Sequence, residues 1–155
     1  MDETVLYWKR APNFTLATEQ PEGIKQDKSR ITAFMYSNAD RSEKTPVWFI
    51  GYYENPQCLK GITRDTLECM YRWNSTAWNN SLVMREWLLW FQKRVGRRRV
   101  ALLLDNFSAH ECVVVELEDE GLLQTVHIIW LPSGTTSKYQ PMDQGIIRTW
   151  KAHYR

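Results

Sequence analysis

The chain is 155 residues long, 43% hydrophobic and 25% charged, which excludes a disordered chain, a collagen-like fibre and a low-complexity tail and fits one domain. Twenty Lys and Arg against 18 Asp and Glu leave a net charge of +2, so any surface that attracts nucleic acid must be local. Cys58, Cys69 and Cys112 form no C-x-x-C pair, which excludes an encoded disulfide framework or zinc cage and fits a reduced intracellular setting.

The opening MDETVLYWKR is acidic at its start and lacks the apolar stretch of a signal peptide. Within it, Val5–Trp8 reads as a short strand, ended by Lys9, Arg10 and Pro12. Residues 17–29 are polar, with Pro21 and Gly23, and read as loop. Ile31–Tyr36 and Val47–Tyr53 read as two strands joined by a polar loop, an antiparallel pair. Residues 54–79 give no clear period. Asn80–Val95 reads as a helix with Leu82, Trp87, Trp90, Phe91 and Val95 along one stripe and Leu88 beside it. Asn79 or Asn80 can cap its start and Gly96 its end.

Val100–Leu104 is a continuous apolar run, suited to a strand buried on both faces, and Val126–Leu131 reads as another buried strand; the longest apolar runs, Val100–Leu104 and Ile128–Leu131, are far too short to span a bilayer. Between them Glu111–Leu122 reads as a helix, which favours a parallel right-handed crossover. Ser133–Pro141 reads as loop, and Ile146, Ile147, Trp150 and Tyr154 describe an amphipathic closing helix. The order is β, β, β, α, β, α, β, α, an α/β chain with a mixed sheet.

Three acids stand at element ends. Asp105 directly follows Val100–Leu104, in LLLDNFSAH. Ligands of α/β sheets bind beyond the carboxyl ends of strands, so it is a site candidate; a surface Asp opening a turn with Asn106 is the competing reading. Asp2 lies at the head of the first strand and alone is a weak signal. Glu3 is a rival acid, but strand alternation sends it to the opposite face. Asp143, in YQPMDQGIIRTW, stands at the start of the last helix, where N-capping is the stronger explanation taken singly.

LLLDNFSAH followed by VHIIWLPSGTTSKYQPMDQGIIRTWKAHYR resembles the DDE superfamily endonuclease domain of pogo-type transposases, the group of Tigger, jerky and centromere-binding relatives. MDET, RITAFMYSNADRSEKTPVWFIG and WNNSLVMREWLLWF resemble it too, so the likeness covers essentially the whole chain. The loop LPSGTTSKYQ departs from the family's LPPNTTS type, with Ser133 and Gly134 in place of Pro and Asn.

The resemblance implies an RNase H-like fold, a five-stranded mixed sheet with helices on both faces. It implies Asp2, Asp105 and Asp143 as catalytic and metal-binding acids, Asp105 and Asp143 being 38 positions apart. Mg²⁺, or Mn²⁺, is the expected cofactor, as two ions; hard oxygen ligands suit it, and no small-molecule cofactor is implied. The implied reaction is phosphodiester cleavage and strand transfer on DNA in the nucleus, away from membranes and compatible with a homo-oligomer. The expected domain is one catalytic core over 1–155, short at its N-terminal strand and without a helix-turn-helix. A catalytically silent, domesticated DNA-binding module is the alternative.

By the same resemblance Asn106 and His110 lie beside the site, where they could orient Asp105 or meet phosphate. Turn chemistry for Asn106 and an ordinary surface histidine for His110 compete with that. His127 reads as core or edge and His153 as solvent-facing. Lys93, Arg94, Arg97, Arg98 and Arg99 precede the Asp105 strand and so lie at the end away from the acids. Arg148, Lys151 and Arg155, on the last helix, are the better candidates for sequence-blind contacts to the DNA backbone, although an exposed charged face explains them equally. Most of the eight Trp residues are assigned to the core before base stacking.

Overall fold

A computed structural model describes residues 1–9, 27–40, 42, 43, 45–63 and 66–154. Most of the 17–29 loop, with Arg10, Pro12 and Arg155, therefore lies outside the described residues. Strands β1 (Asp2–Leu6), β2 (Ile31–Met35) and β3 (Trp48–Gly51) pair antiparallel in chain order, with Asp2 opposite Met35 and Phe34 opposite Trp48. Strand β4 (Met70–Trp73) adds to β3 in parallel. Helix α1 (Ser81–Val95) leads to β5 (Val100–Leu104), helix α2 (Ser108–Asp119) and β6 (Val126–Trp130). β5 and β6 are parallel, joined by the expected helical crossover.

The chain is mixed α/β, but its described strands form a four-stranded sheet and a two-stranded pair, not one sheet of five. Two features account for the difference. β4 escapes a pattern reading because it is four residues long and buries none of them fully. The two sheets meet between β1 and β5, where the Met1 amino group donates to the Leu103 carbonyl at 3.0 Å and no ladder continues. β1 also starts earlier than the apolar run suggested; Tyr7 and Trp8 lie past its end, and Trp8 is exposed.

One core joins both sheets. Phe34, Trp48 and Ile50 meet Met84, Trp87, Leu88 and Phe91 of α1, Val113, Val114 and Leu117 of α2, and Leu102 and Leu104 of β5. Trp87 stacks on Phe91 at 5.1 Å, and Trp48 meets Trp90 edge-on. Alternation sends the neighbouring residues Met35, Val47 and Phe49 to the other face. There they pack against the closing helix α4 (Ile147–Tyr154): Ile147 and Trp150 join Met35, and Phe49 lies 6.2 Å from Trp150. Helices thus cover both faces of the four-stranded sheet.

Asn80 caps α1, its Oδ1 accepting from the Val83 amide at 3.0 Å, and Gly96 ends it at φ +60°. Leu82 does not belong to the buried stripe; it is 77% exposed, and Val83 and Met84 are buried in its stead. α2 begins at Ser108, before the expected Glu111. Gly51 lets the Tyr71 ring lie against the β3 backbone; a Cβ there would overlap the phenol, whose hydroxyl donates to the Tyr53 carbonyl at 2.6 Å. Trp48 and Trp87 are buried and Trp90, Trp130 and Trp150 pack partly, whereas Trp8, Trp73 and Trp78 are about half exposed.

Candidate active site

The three acids come from three elements, and Met1 draws those elements together. Its amino group holds Leu103, two residues before Asp105. Its carbonyl accepts from Nε2 of Gln140, three residues before Asp143 and fully buried, at 3.2 Å. The next residue is Asp2. Asp2 Oδ1 accepts from the following amide, that of Glu3, at 2.8 Å. Burial pushes the Asp2 carboxyl up to about 7; the Glu3 amide opposes the rise, and the charges of Asp143 and Asp105 add to it. A carboxyl raised by two others has those carboxylates near it.

Asp143 does not cap the closing helix. A short helix, α3 (Thr136–Tyr139), is followed by a wide turn over Met142–Ile146, and no side chain caps that turn. Gly145, at φ +111°, breaks the path before α4 begins at Ile147. Asp143 is thereby left exposed, its backbone fixed by the buried Met142 next to it.

His110 is no surface histidine; it is 3% exposed and lies between two carboxylates. Its Nδ1 meets Asp105 Oδ1 at 3.2 Å, and its Nε2 meets Glu3 Oε1 at 2.9 Å. Burial alone would push the imidazole down; the hydrogen bonds to Asp105 and Glu3, with their charges, lift it to about 9 instead. Asn79 Nδ2 donates to Glu3 Oε1 at 2.6 Å and also lies 2.8 Å from His110 Nε2. With Nε2 protonated towards Glu3, the Asn79 amide serves the carboxylate rather than the ring. Phe107 stands edge-on to His110 at 5.1 Å and is half exposed.

Asn106 does not reach Asp105. Its Nδ2 donates to Ser133 Oγ at 3.0 Å and ties the loop after β5 to the loop after β6. A proline at 133, the residue the resemblance leads one to expect, would offer no side-chain acceptor, so the departure in LPSGTTSKYQ supplies this bond. Gly134 has φ +73°, which Gly and Asn both tolerate, so the second departure keeps the backbone path.

Arg148 and Lys151 line an open groove of about 500 Å³ together with Asp143, Ile147 and Ala152. The expected basic residues of α4 thus share a wall with an expected acid. The other basic cluster lies at the far end of β5, where Arg98 pairs with Glu43 at 2.7 Å and Arg94 covers the Trp90 ring. His127 is exposed on β6 and His153 on α4.

Sequence reasoning missed Glu3 and Asn79. The rule of alternation separates Glu3 from Asp2 but says nothing of a buried histidine arriving from α2. The adjacent pair Asn79-Asn80 held a signal, since one cap needs only one of them. The donor set is chemically suited to Mg²⁺, being made of carboxylate oxygens. Among the described residues, however, no three His, Cys, Asp or Glu side chains stand close enough to hold a metal ion.

A family model described as DDE superfamily endonuclease matches residues 28–155, which takes in Asp105 and Asp143 and leaves Asp2 and Glu3 outside. CENP-B homolog protein 2 of Schizosaccharomyces pombe is 39% identical over 100% of this chain and 31% of its own length. Tigger transposable element-derived protein 4 of Mus musculus is 32% identical, over 99% of this chain and 29% of its own length. Jerky protein homolog of Homo sapiens is 31% identical, over 99% and 28%. The chain spans under a third of the length of these relatives. No solved structure matches it.

Proposed function

The chain belongs to the DDE superfamily endonuclease family, and on that premise we propose that it is a transposase-derived catalytic core that cleaves phosphodiesters in DNA and transfers strands. The observation that supports this is that Asp2, on β1, feels the charges of both Asp105, at the end of β5, and Asp143, in the turn before α4. Asp2, Asp105 and Asp143 would hold two Mg²⁺ or Mn²⁺ ions, which when bound acidify the attacking water or 3′-hydroxyl and stabilise the leaving oxygen. The β1 segment brings Asp2 in beside the end of β5 through Met1. The turn over Met142–Ile146 presents Asp143 to the groove. Arg148 and Lys151, with Arg155 beyond the described residues, would grip the DNA backbone without reading sequence. Their position beside Asp143 supports placing the scissile strand along that wall. The nucleus is the compartment this reading assigns.

A second reading keeps the DNA contacts and drops the chemistry. It is favoured by the lack, among the described residues, of three metal-ligating side chains at ligand spacing. A nicking assay on supercoiled DNA separates the two, run with Mg²⁺, with Mn²⁺ and with chelator, on the wild type and Asp105→Ala. Metal-dependent nicking that disappears in Asp105→Ala is expected. DNA binding by both proteins with nicking by neither would replace the enzyme with the binding module.

A further inference from the structure

Asp105 is only partly covered, and among the described residues the side-chain contact to its carboxylate ends on one oxygen, Oδ1, at His110 Nδ1. A histidine held at one nitrogen alone can swing. His110 is held at both, and its second partner is Glu3, whose Oε1 also takes the Asn79 amide. The three supports come from separate places: β1, the segment before α1, and the first turn of α2. The ring is 3% exposed and braced by Phe107, so its angle is fixed by packing as well as by hydrogen bonds.

We propose that Glu3 is a positioning residue: through His110 it fixes the Asp105 carboxylate with one oxygen bound to protein and the other left for a divalent cation. This rests on the reading that Asp105 is a metal ligand. The logic is that of carboxylate–histidine pairs, in which the partner on the far nitrogen sets the ring's orientation and so the reach of the near one. Glu3 sits next to Asp2 in sequence, so β1 serves the site twice. One face of the strand carries an acid, and the other carries the anchor of a second acid.

The test uses the intact chain and Mn²⁺, followed by the electron paramagnetic resonance of the free ion. Wild type is expected to bind, and Asp105→Asn to lose the site. Glu3→Ala and His110→Phe should each weaken binding about 10–100-fold. Glu3→Gln, which keeps an acceptor oxygen for Nε2–H, should recover most of it, a rescue that a loss of fold would not give. In metal-free protein, long-range ¹H–¹⁵N spectra should show His110 Nδ1 protonated and its signal displaced in Asp105→Asn. Folded Glu3→Ala with wild-type Mn²⁺ affinity, or an Nδ1 signal indifferent to Asp105→Asn, overturns the positioning role. A wild type that binds no Mn²⁺ while the Nδ1 signal does respond overturns the metal reading, and this role with it, but leaves the contact itself standing.

Discussion

Replacing Asp2 by Asn should stabilise the metal-free chain at neutral pH while removing a proposed metal ligand. Asp2 has its carboxyl pushed up to about 7 from 3.8, by burial first and then by Asp143 and Asp105 against the opposing Glu3 amide. Between those two values the folded chain holds the proton and the unfolded chain releases it. The unfolded state then binds fewer protons, so stability falls as pH rises from about 4 to about 7 and is level above. The gap of about three pH units, at ~1.4 kcal/mol each, sets an upper bound of ~4 kcal/mol. Asp2 keeps part of its surface in water, and screening there brings the expectation nearer ~2 kcal/mol. Asn has the same shape, keeps an oxygen for the Glu3 amide and never ionises. In chelator, urea unfolding should therefore find Asp2→Asn about as stable as wild type at pH 4 and ~2 kcal/mol more stable at pH 8. For a chain of this length that is about 4–8 °C in Tm. Mg²⁺ should close the gap by stabilising only the wild type, by ~2.7 kcal/mol at a hundred times its Kd. A difference between the two proteins that does not change from pH 4 to pH 8 would refute the reasoning, because it would mean that Asp2 feels neither burial nor the other acids.

His110 titrates in the opposite sense. Burial lowers its pKa, but the Asp105 and Glu3 bonds raise it to about 9, so its contribution is complete below about 6.5 and is lost as pH climbs through 9. The stability advantage of wild type over His110→Phe should accordingly shrink between pH 6.5 and pH 10 in chelator, as read from urea midpoints. Arg148→Ala and Lys151→Ala should each weaken DNA binding equally on unrelated sequences and reduce the slope of log K against log salt by about 1. Gly51→Ala should cost ~1–3 kcal/mol by thermal or urea unfolding, since the added methyl meets the Tyr71 phenol.

What the sequence made legible followed one rule: local signals survive where a single period or cap decides them. The apolar run VALLL became β5 with both of its ends as read, and Asn80 and Gly96 bracket α1. Leu82 failed because it lies about 140° round the helix from Trp87 at 100° per residue, outside the face that Met84, Leu88 and Phe91 share. β4 failed because its partners lie elsewhere in the chain: it exists by pairing with β3, and MYRW shows no apolar alternation of its own. The acids at element ends were legible as candidates, but their coupling was not, since it depends on Met1 reaching Leu103 and Gln140. Glu3 was set aside by a correct rule about its strand, which could not foresee the histidine on the other side.

On the proposed function, a chain of net charge +2 must still present a face to DNA, and the placement of its charges bears on how. His110 stands as a cation between Glu3 and Asp105, and the Met1 amino group acts on Asp2 and Asp105. Burial favours the protonated form of Asp2, and the charges of Asp143 and Asp105 add to that. A polyanion would be repelled by such a cluster standing alone. Arg148 and Lys151, three residues apart on α4, lie on the same wall as Asp143, so on the proposed function positive charge flanks that acid where a backbone would pass. On the proposed function, affinity and chemistry make opposite demands on one surface, and the closing helix would meet both by carrying the bases while the kinked turn before it carries the acid. Reversing the sign of Arg148 should therefore abolish DNA binding while leaving Mn²⁺ affinity no lower than in wild type; a joint loss of both would mean that α4 shapes the acid cluster rather than flanking it.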